Sequence, residues 1–235
     1  MDSDFQSDPW SRFLSRWTLA TVVMIFGLIG VFGGGVGFDN SLPPEYSELV
    51  LASRRPDTYR LAMLFDALNW VMIGGVLLGF AGLFWKRAPI RSLFLAATGS
   101  GMLAGIIGGL LRLRGTGDLA ARYAAASTDQ QASVVQSYLV LSDIVGSHFQ
   151  AGQALQAAGF LLIGWVALSS SRFPRRLGAL TALPGVTSGG LFIWNTVAPF
   201  SFPLVMIHVL VSAIVYSAIA WTFWRHAPVR VSAPV

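Results

Sequence analysis

The sequence predicts an all-α fold: a polytopic membrane helix bundle with six transmembrane helices and both termini in the cytoplasm. Composition is the first reason, since 54% of the 235 residues are hydrophobic and 11% are charged, whereas soluble domains carry about 25% charged residues. The second is six apolar runs, each near the ~20 residues that a bilayer requires. The third is that basic residues cluster on one side of these runs.

The apolar runs are separated by short segments that hold most of the charges and turn-forming residues. The spans are predicted at 17–37, 61–85, 93–113, 144–168, 177–197 and 204–224. The fourth segment has a helical pattern from about Ser133. A helix of about 35 residues is longer than the ~30 Å hydrocarbon core, so it is expected to extend past the bilayer. Asp143 lies in this extension and is expected to be exposed to water.

The distribution of positive charge predicts the orientation. Ten of the sixteen basic residues precede the first span, follow the sixth, or lie in the second–third and fourth–fifth connections. Cytoplasmic loops are enriched in Lys and Arg, so these segments are assigned to the cytoplasm. The resulting division is a cytoplasmic interfacial helix or tail (1–16), a transmembrane domain (17–225) and a disordered cytoplasmic tail (226–235).

The predicted interfacial helix rests on a pattern of amphipathic spacing before the first span. Asp8 and Pro9 are a typical cap and first helical residue. Trp10, Leu14 and Trp17 then fall at helical spacing, opposite charged side chains. Such a stretch is typical of a short helix that lies in the membrane interface.

Several function classes are excluded by what the sequence lacks. It has no cysteine, which excludes thiolate metal sites, iron–sulfur clusters and thiol nucleophiles. It has no Walker loop, no GxSxG and no paired acidic motif for diphosphate–metal chemistry. The net charge of +5 is divided among membrane-flanking clusters rather than along one face, so nucleic acid is not expected as a partner.

Polar side chains recur at one depth in five of the six spans. Counting ~1.5 Å per residue from the cytoplasmic boundaries puts them about 22 to 35 Å up, in the outer third of the bilayer. Isolated polar groups would be unsatisfied in lipid, so a shared outward-facing cavity is predicted. The candidate ligand-binding residues are Trp70, Arg112, Gln150, Gln153, Gln156, Trp194, Asn195 and His208.

Asp66 is the candidate residue for acid–base catalysis. Asp66 and Asn69 lie three residues apart on one helix face, and a confined carboxylate beside an amide can exchange protons. As a general acid, Asp66 would be oriented by Asn69 or His148, with Trp70, Phe149 and Trp194 around a cationic intermediate. The alternative is a structural ion pair between Asp66 and Arg112, because buried charges are rarely left unpaired.

The two intramembrane histidines offer a third possibility. His148 and His208 lie on different predicted helices, and paired neutral imidazoles can ligate a b-type haem. Hydrogen bonds to neighbouring helices are the alternative role for both. No HxxxH or HxxE spacing supports a zinc site, so no metal is expected.

Three segments carry a resemblance to a known family. YRLAMLFDALNW, SHFQAGQALQ and FPRRLG occur in this order within residues 59–193. In this region the chain resembles a bacterial family of six-span integral membrane proteins catalogued as a domain of unknown function. The resemblance implies a location in the bacterial inner membrane, and it brings no catalytic residues with it.

These observations support three hypotheses about function. The first is a protein that binds a hydrophobic small molecule (a lipid, isoprenoid, quinone or pigment), surrounded by membrane lipid and packed into a homo-oligomer or a larger membrane complex through small-residue faces. The second is a membrane-embedded enzyme of the cyclase, isomerase or epoxide-opening type, with Asp66 as general acid. The third is a b-type cytochrome with His148 and His208 as ligands.

Overall fold

The structure, a computed structural model, describes residues 9–31, 42–43, 45–169, 175–198 and 202–225. Within these ranges every regular element is a helix, and six helical segments are long and apolar enough to cross a membrane. The predicted all-α class with six transmembrane helices is confirmed. The predicted tail at 226–235 and the first eight residues lie outside the described ranges.

The helices follow one another with short connections. In chain order they are α1 (Pro9–Val31), α2 (Ser47–Arg54), α3 (Pro56–Phe84), α4 (Pro89–Leu103), α5 (Gly105–Leu111), a π-helical turn (Arg112–Thr116), α6 (Gly117–Ala125), α7 (Thr128–Ser169), α8 (Arg175–Val197) and α9 (Phe202–Arg225). The segments from α4 to α6 run on as one span of 37 residues. Pro9, Pro56 and Pro89 each stand at a first helical position, where the missing N–H would have no intrahelical partner.

The N-terminal helix, α1, begins at Pro9, before the predicted first span at 17–37. Residues 9–16 form the first turns of α1, and their position in the membrane interface stays a prediction. No glycine or proline interrupts the chain from Trp10 to Phe26, so nothing in the sequence breaks the helix there. Leu14 and Ser15 are buried, which shows that these turns pack against protein.

Two further boundaries shift. α7 begins at Thr128 and runs for 42 residues, so the predicted extension of the fourth helix is confirmed and is longer than expected. The third span ends later than predicted, because α6 continues directly from it. Asp143 is exposed on α7.

The chain forms two compact units. The first comprises Met1–Val22, Met72–Gly101 and Gln153–Val235, and the second comprises Val23–Val71 and Met102–Gly152. In the first unit, rings of α1 lie over glycines of α3: the Trp10 ring covers Gly82 and the Trp17 ring covers Gly75. The Trp17 indole N–H also donates a hydrogen bond to the Met72 carbonyl at 2.8 Å.

The second unit is built around an apolar cluster that the loops and helix ends share. α2 and α6 contribute Leu49, Ala52 and Ala120, while α3 and the first turns of α7 contribute Met63 and Val134. α2 has only eight residues, too few for an isolated helix to be stable in water. Packing on this cluster therefore holds α2, and with it Glu48, in place.

Candidate functional site

An ion cluster forms the polar centre of the second unit. The Arg112 guanidinium meets Glu48 side-on: Nε donates to Oε1 at 3.2 Å and Nη2 donates to Oε2 at 2.9 Å. Both side chains are about a quarter exposed, at 24% and 28%. Bidentate pairing of this kind fixes the plane of the guanidinium as well as its position.

Two tyrosines complete the environment of Glu48. The Tyr59 hydroxyl donates to Oε1 at 2.6 Å, and the Tyr138 hydroxyl donates to Oε2 at 3.3 Å. Burial alone would raise the pKa of the Glu48 carboxyl. The charge of Arg112, together with these hydrogen bonds, instead holds that pKa below its usual value of 4.5. Glu48 is therefore an ionised and saturated acceptor.

Asp66 approaches the same guanidinium from α3. Its Oδ2 lies 3.6 Å from Arg112 Nη1, and its side chain is 14% exposed. The predicted structural pairing of Asp66 with Arg112 is thus present as an ion pair, although 3.6 Å is too long for a hydrogen bond. One guanidinium accordingly serves two carboxylates.

A small cavity of about 20 Å³ opens beside this pair. Asp66 and Arg112 supply its charged wall, and its other lining residues come from α3, α5 and α7: Trp70, Gly105, Gly108, Gly109, Val145, His148 and Phe149. A water needs roughly 10–15 Å³ of such space. The cavity therefore accommodates one small polar group, and no lipid-sized ligand fits inside it.

Aromatic rings and glycines shape the apolar side of the cavity. Trp70 and Phe149 meet edge to face, with ring centroids 5.5 Å apart. The Trp70 ring lies so close to Gly152 that a Cβ there would stand 2.6 Å from its Cη2. Gly152 is therefore required by the close approach of the indole, which keeps Trp70 93% buried.

Local backbone geometry directs Arg112 toward this site. Arg112 is the first residue of the π-helical turn that separates α5 from α6. Such turns are rare and occur frequently at functional sites, because the wider turn changes the direction of the side chains that follow. The sequence around Arg112, RLRGT, gives no signal that distinguishes it from an ordinary helix.

His148 lies at the rim of the cavity and is exposed. Its Nδ1 lies 3.2 Å from the Ile144 carbonyl of its own helix, an arrangement in which Nδ1–H donates. A neutral imidazole bonded in this way presents Nε2 as an acceptor. The ring therefore adds a polar group to the rim.

The first unit holds a separate polar network, between α7 and α8. Ser188 donates to the Gln153 carbonyl at 2.9 Å and to the Gln156 side-chain oxygen at 3.4 Å. Asn195 donates to the Gln153 side-chain oxygen at 3.1 Å. Gln153 and Gln156 are each 2% exposed, and the buried nitrogens of both side-chain amides have no hydrogen-bond partner among the residues that the structure describes. The network links two helices through amides that are only partly satisfied.

His208 has a partner on α8. The Thr187 hydroxyl donates to the Leu183 carbonyl at 3.1 Å, and Thr187 Oγ1 lies 2.8 Å from His208 Nδ1. His208 and His148 belong to different compact units. Each histidine makes its own hydrogen bond, which is the role expected if neither ligates haem. The b-type cytochrome stays a prediction.

The remaining candidates are divided between the two units. Asn69 lies one turn beyond Asp66, and its buried side-chain oxygen has no hydrogen-bond partner within the described part of the chain. Gln150 belongs to the same unit and is half-buried. Trp194 is 42% exposed. Among the described residues no group of three His, Cys, Asp or Glu side chains could hold a metal ion.

Sequence reasoning missed the residues that complete the ion cluster. The sequence places Glu48 and Tyr59 in the loop before the second span and Tyr138 in the extension of the fourth helix, and it indicates no role for any of them. The available signal was SELVLASR, in which apolar residues at helical spacing surround a single acidic side chain. The spacing of Gly101, Gly105 and Gly109 predicts a packing face, and the part of Gly105, Gly108 and Gly109 in the cavity is visible only in the fold.

These helices and this ion cluster define a multi-pass α-helical membrane protein with a charged site among its spans. Residues 18–224 match the family described as a domain of unknown function (DUF4386), and the chain belongs to that family. The resemblance of residues 59–193 to a family catalogued in this way is confirmed. No curated protein and no solved structure matches the chain.

Proposed function

We propose that this protein binds a hydrophobic small molecule, such as a lipid, isoprenoid, quinone or pigment, whose polar end enters the cavity at Asp66 and Arg112. The observation that carries the proposal is the charged pair at a cavity whose other walls are apolar and aromatic. Binding sites for small molecules combine these features: a mostly apolar lining and a few polar groups that fix orientation.

The size of the cavity determines how such a ligand would bind. At about 20 Å³ the cavity accepts a hydroxyl, carbonyl or amine, and the hydrocarbon part must remain outside. Exposed apolar side chains flank the rim, with Ile144 one turn before His148 on α7 and Ile107 beside Gly108 on α5. A hydrocarbon chain lying along these residues would stay in contact with apolar groups throughout its length.

The ion pair favours binding over general-acid catalysis. In the pair with Arg112, Asp66 acts as a carboxylate, and a carboxylate accepts hydrogen bonds but has no proton to donate. An acid catalyst would need a protonated oxygen directed at its substrate. The membrane-embedded cyclase or isomerase therefore has less support than a binding protein, whether it acts alone or as an accessory subunit.

The test is to purify the protein from its native membrane in mild detergent and to analyse the extracted organic phase by mass spectrometry. Wild-type protein should carry one hydrophobic compound in a near-stoichiometric amount. Asp66→Asn should carry about tenfold less, since a hydrogen bond to a charged group contributes about 1.5–3 kcal/mol. Asp143→Asn is the matched control, because Asp143 is exposed on α7.

Two results would overturn the proposal. One is wild-type protein that contains bulk phospholipid and no enriched compound. The other is equal retention of the compound by Asp66→Asn and wild type, at equal yields of folded protein. If Asp66→Asn does not fold, the same comparison is made with Phe149→Leu. This variant removes an aromatic wall of the cavity and leaves the ion pair in place.

A further inference from the structure

We infer that the polar end recognised at Asp66 is a protonated amine, so that the ligand is a long-chain primary amine or a similar cationic amphiphile. The inference rests on the proposed function and specifies the class of its ligand. It follows from the charge of the site, from the hydrogen bonds already made there, and from the size and walls of the cavity.

The charge of the site favours a cation. Glu48 and Asp66 are two carboxylates within reach of one guanidinium, that of Arg112. Arg112 is the sole Lys or Arg among the residues that line the cavity. With both carboxylates ionised, Glu48, Asp66 and Arg112 together carry a net charge of −1. A buried net charge is costly unless a counter-ion accompanies it, so a ligand cation would be favoured over a neutral or anionic group.

The hydrogen bonds locate the uncompensated charge on Asp66. Both oxygens of Glu48 are saturated, since each accepts one hydrogen bond from Arg112 and one from a tyrosine. Among the described residues Asp66, in contrast, has a single ionic contact, with Arg112 at 3.6 Å. Its side chain is 14% exposed, which leaves little access for bulk water. Asp66 is therefore the carboxylate that can accept further hydrogen bonds.

The cavity in front of Asp66 fits an ammonium group. Its volume of about 20 Å³ exceeds the roughly 10–15 Å³ that a water needs, and a primary ammonium is of similar size. The walls include Trp70 and Phe149, and aromatic faces attract cations within about 6 Å. A quaternary ammonium, with three methyl groups, would exceed this volume.

These features disfavour the other common polar ends. A carboxylate or phosphate would add negative charge beside Asp66 and would be repelled. An alcohol would fit by size and could donate one hydrogen bond, but it would leave the charge of Asp66 uncompensated. An ammonium donates three hydrogen bonds and neutralises the site, so selectivity for the amine over the alcohol is the distinguishing property.

The experiment compares four probes with the same twelve-carbon chain: dodecylamine, 1-dodecanol, dodecanoate and dodecyltrimethylammonium. Dissociation constants are measured by native mass spectrometry on the full-length protein released from non-ionic detergent at neutral pH. We expect dodecylamine to bind at least tenfold more tightly than 1-dodecanol, and the other two probes to bind more weakly still. Asp66→Asn should reduce the preference for the amine about tenfold, and Asp143→Asn should retain it.

The outcomes separate this inference from the proposed function. If 1-dodecanol binds as tightly as dodecylamine and both are weakened in Asp66→Asn, the inference is overturned and the binding site stands. If no probe binds with dependence on Asp66, both are overturned. If Asp66→Asn fails to fold, Phe149→Leu decides: it should weaken the amine at least threefold more than the alcohol, and equal weakening contradicts the inference.

Discussion

Glu48 and Arg112 form a side-on ion pair in which two guanidinium nitrogens meet two carboxylate oxygens, at 3.2 and 2.9 Å. The pair joins α2, a helix of eight residues, to the π-helical turn of the third span. It also holds the guanidinium against Asp66 and the cavity. Glu48 is thus a positioning residue for the candidate site, and its removal should affect both stability and ligand binding.

Glu48→Gln should lower the free energy of unfolding by about 2 kcal/mol, because it replaces charge-assisted hydrogen bonds with weaker ones. The cost should lie below the 3–5 kcal/mol typical of a broken buried pair, since both side chains are about a quarter exposed. Denaturant unfolding in detergent measures it. Glu45→Gln, an exposed neighbour, should change stability by less than about 0.5 kcal/mol, and equal effects of the two variants would contradict the pairing.

Low pH should reduce the free energy of unfolding through protonation of Glu48. The folded-state pKa of Glu48 lies below its ordinary value of 4.5, so the unfolded chain takes up the proton first as the pH falls. The contribution of Glu48 is therefore complete above about pH 4.5 and is lost progressively as the pH falls through the folded-state pKa. Unfolding free energies measured from about pH 7 to about pH 3 should fall less steeply for Glu48→Gln than for wild type, and parallel curves would contradict this cause.

The class of fold could be predicted because its signals are local. Apolar runs of about twenty residues predict membrane helices wherever they occur, and six such helices are present. The packing of the N-terminal turns of α1 could not be predicted, because it depends on tertiary contacts. Amphipathic spacing from Trp10 to Trp17 is equally compatible with lying on a membrane and with packing on glycines, and the glycines that accept these rings are 58 and 72 residues away on α3.

The site was predictable only in part. Asp66 and Arg112 were recognised because charges within apolar runs are rare, and the structure pairs them. Glu48 was missed because it lies outside the spans, where acidic residues are ordinary. Its contact with Arg112 joins residues 64 positions apart, and no spacing rule reaches so far. The small volume of the cavity likewise depends on how three helices pack, which composition does not encode.

The approach of Trp70 to α7 can be tested with two glycines of that helix. Gly152→Ala should destabilise the protein by about 1–3 kcal/mol, because the new Cβ would stand 2.6 Å from the Trp70 ring. Gly146→Ala is the matched control, since no atom lies within 4 Å of a Cβ there. Alanine should stabilise that position by up to about 1 kcal/mol through helix propensity.

Thermal or denaturant unfolding of both glycine variants gives the comparison. Trp70→Leu should remove most of the cost of Gly152→Ala, because a smaller side chain leaves space for the methyl group. The coupling appears in a double-mutant cycle. Equal and small effects of Gly152→Ala and Gly146→Ala would mean that Trp70 does not occupy the described position.

The orientation predicted from charge can be tested because the chain contains no cysteine, so a single introduced thiol is the only one available to label. Ser127→Cys puts a thiol in the connection between α6 and α7, and Lys86→Cys puts one between α3 and α4; both positions are exposed. If the basic connections face the cytoplasm, a membrane-impermeant maleimide added to intact spheroplasts should label the first variant and spare the second. Disruption of the membrane should then expose the second to the same reagent. Labelling of Lys86→Cys alone in intact spheroplasts would reverse the topology, and it would direct the rim of the cavity at His148 toward the cytoplasmic side.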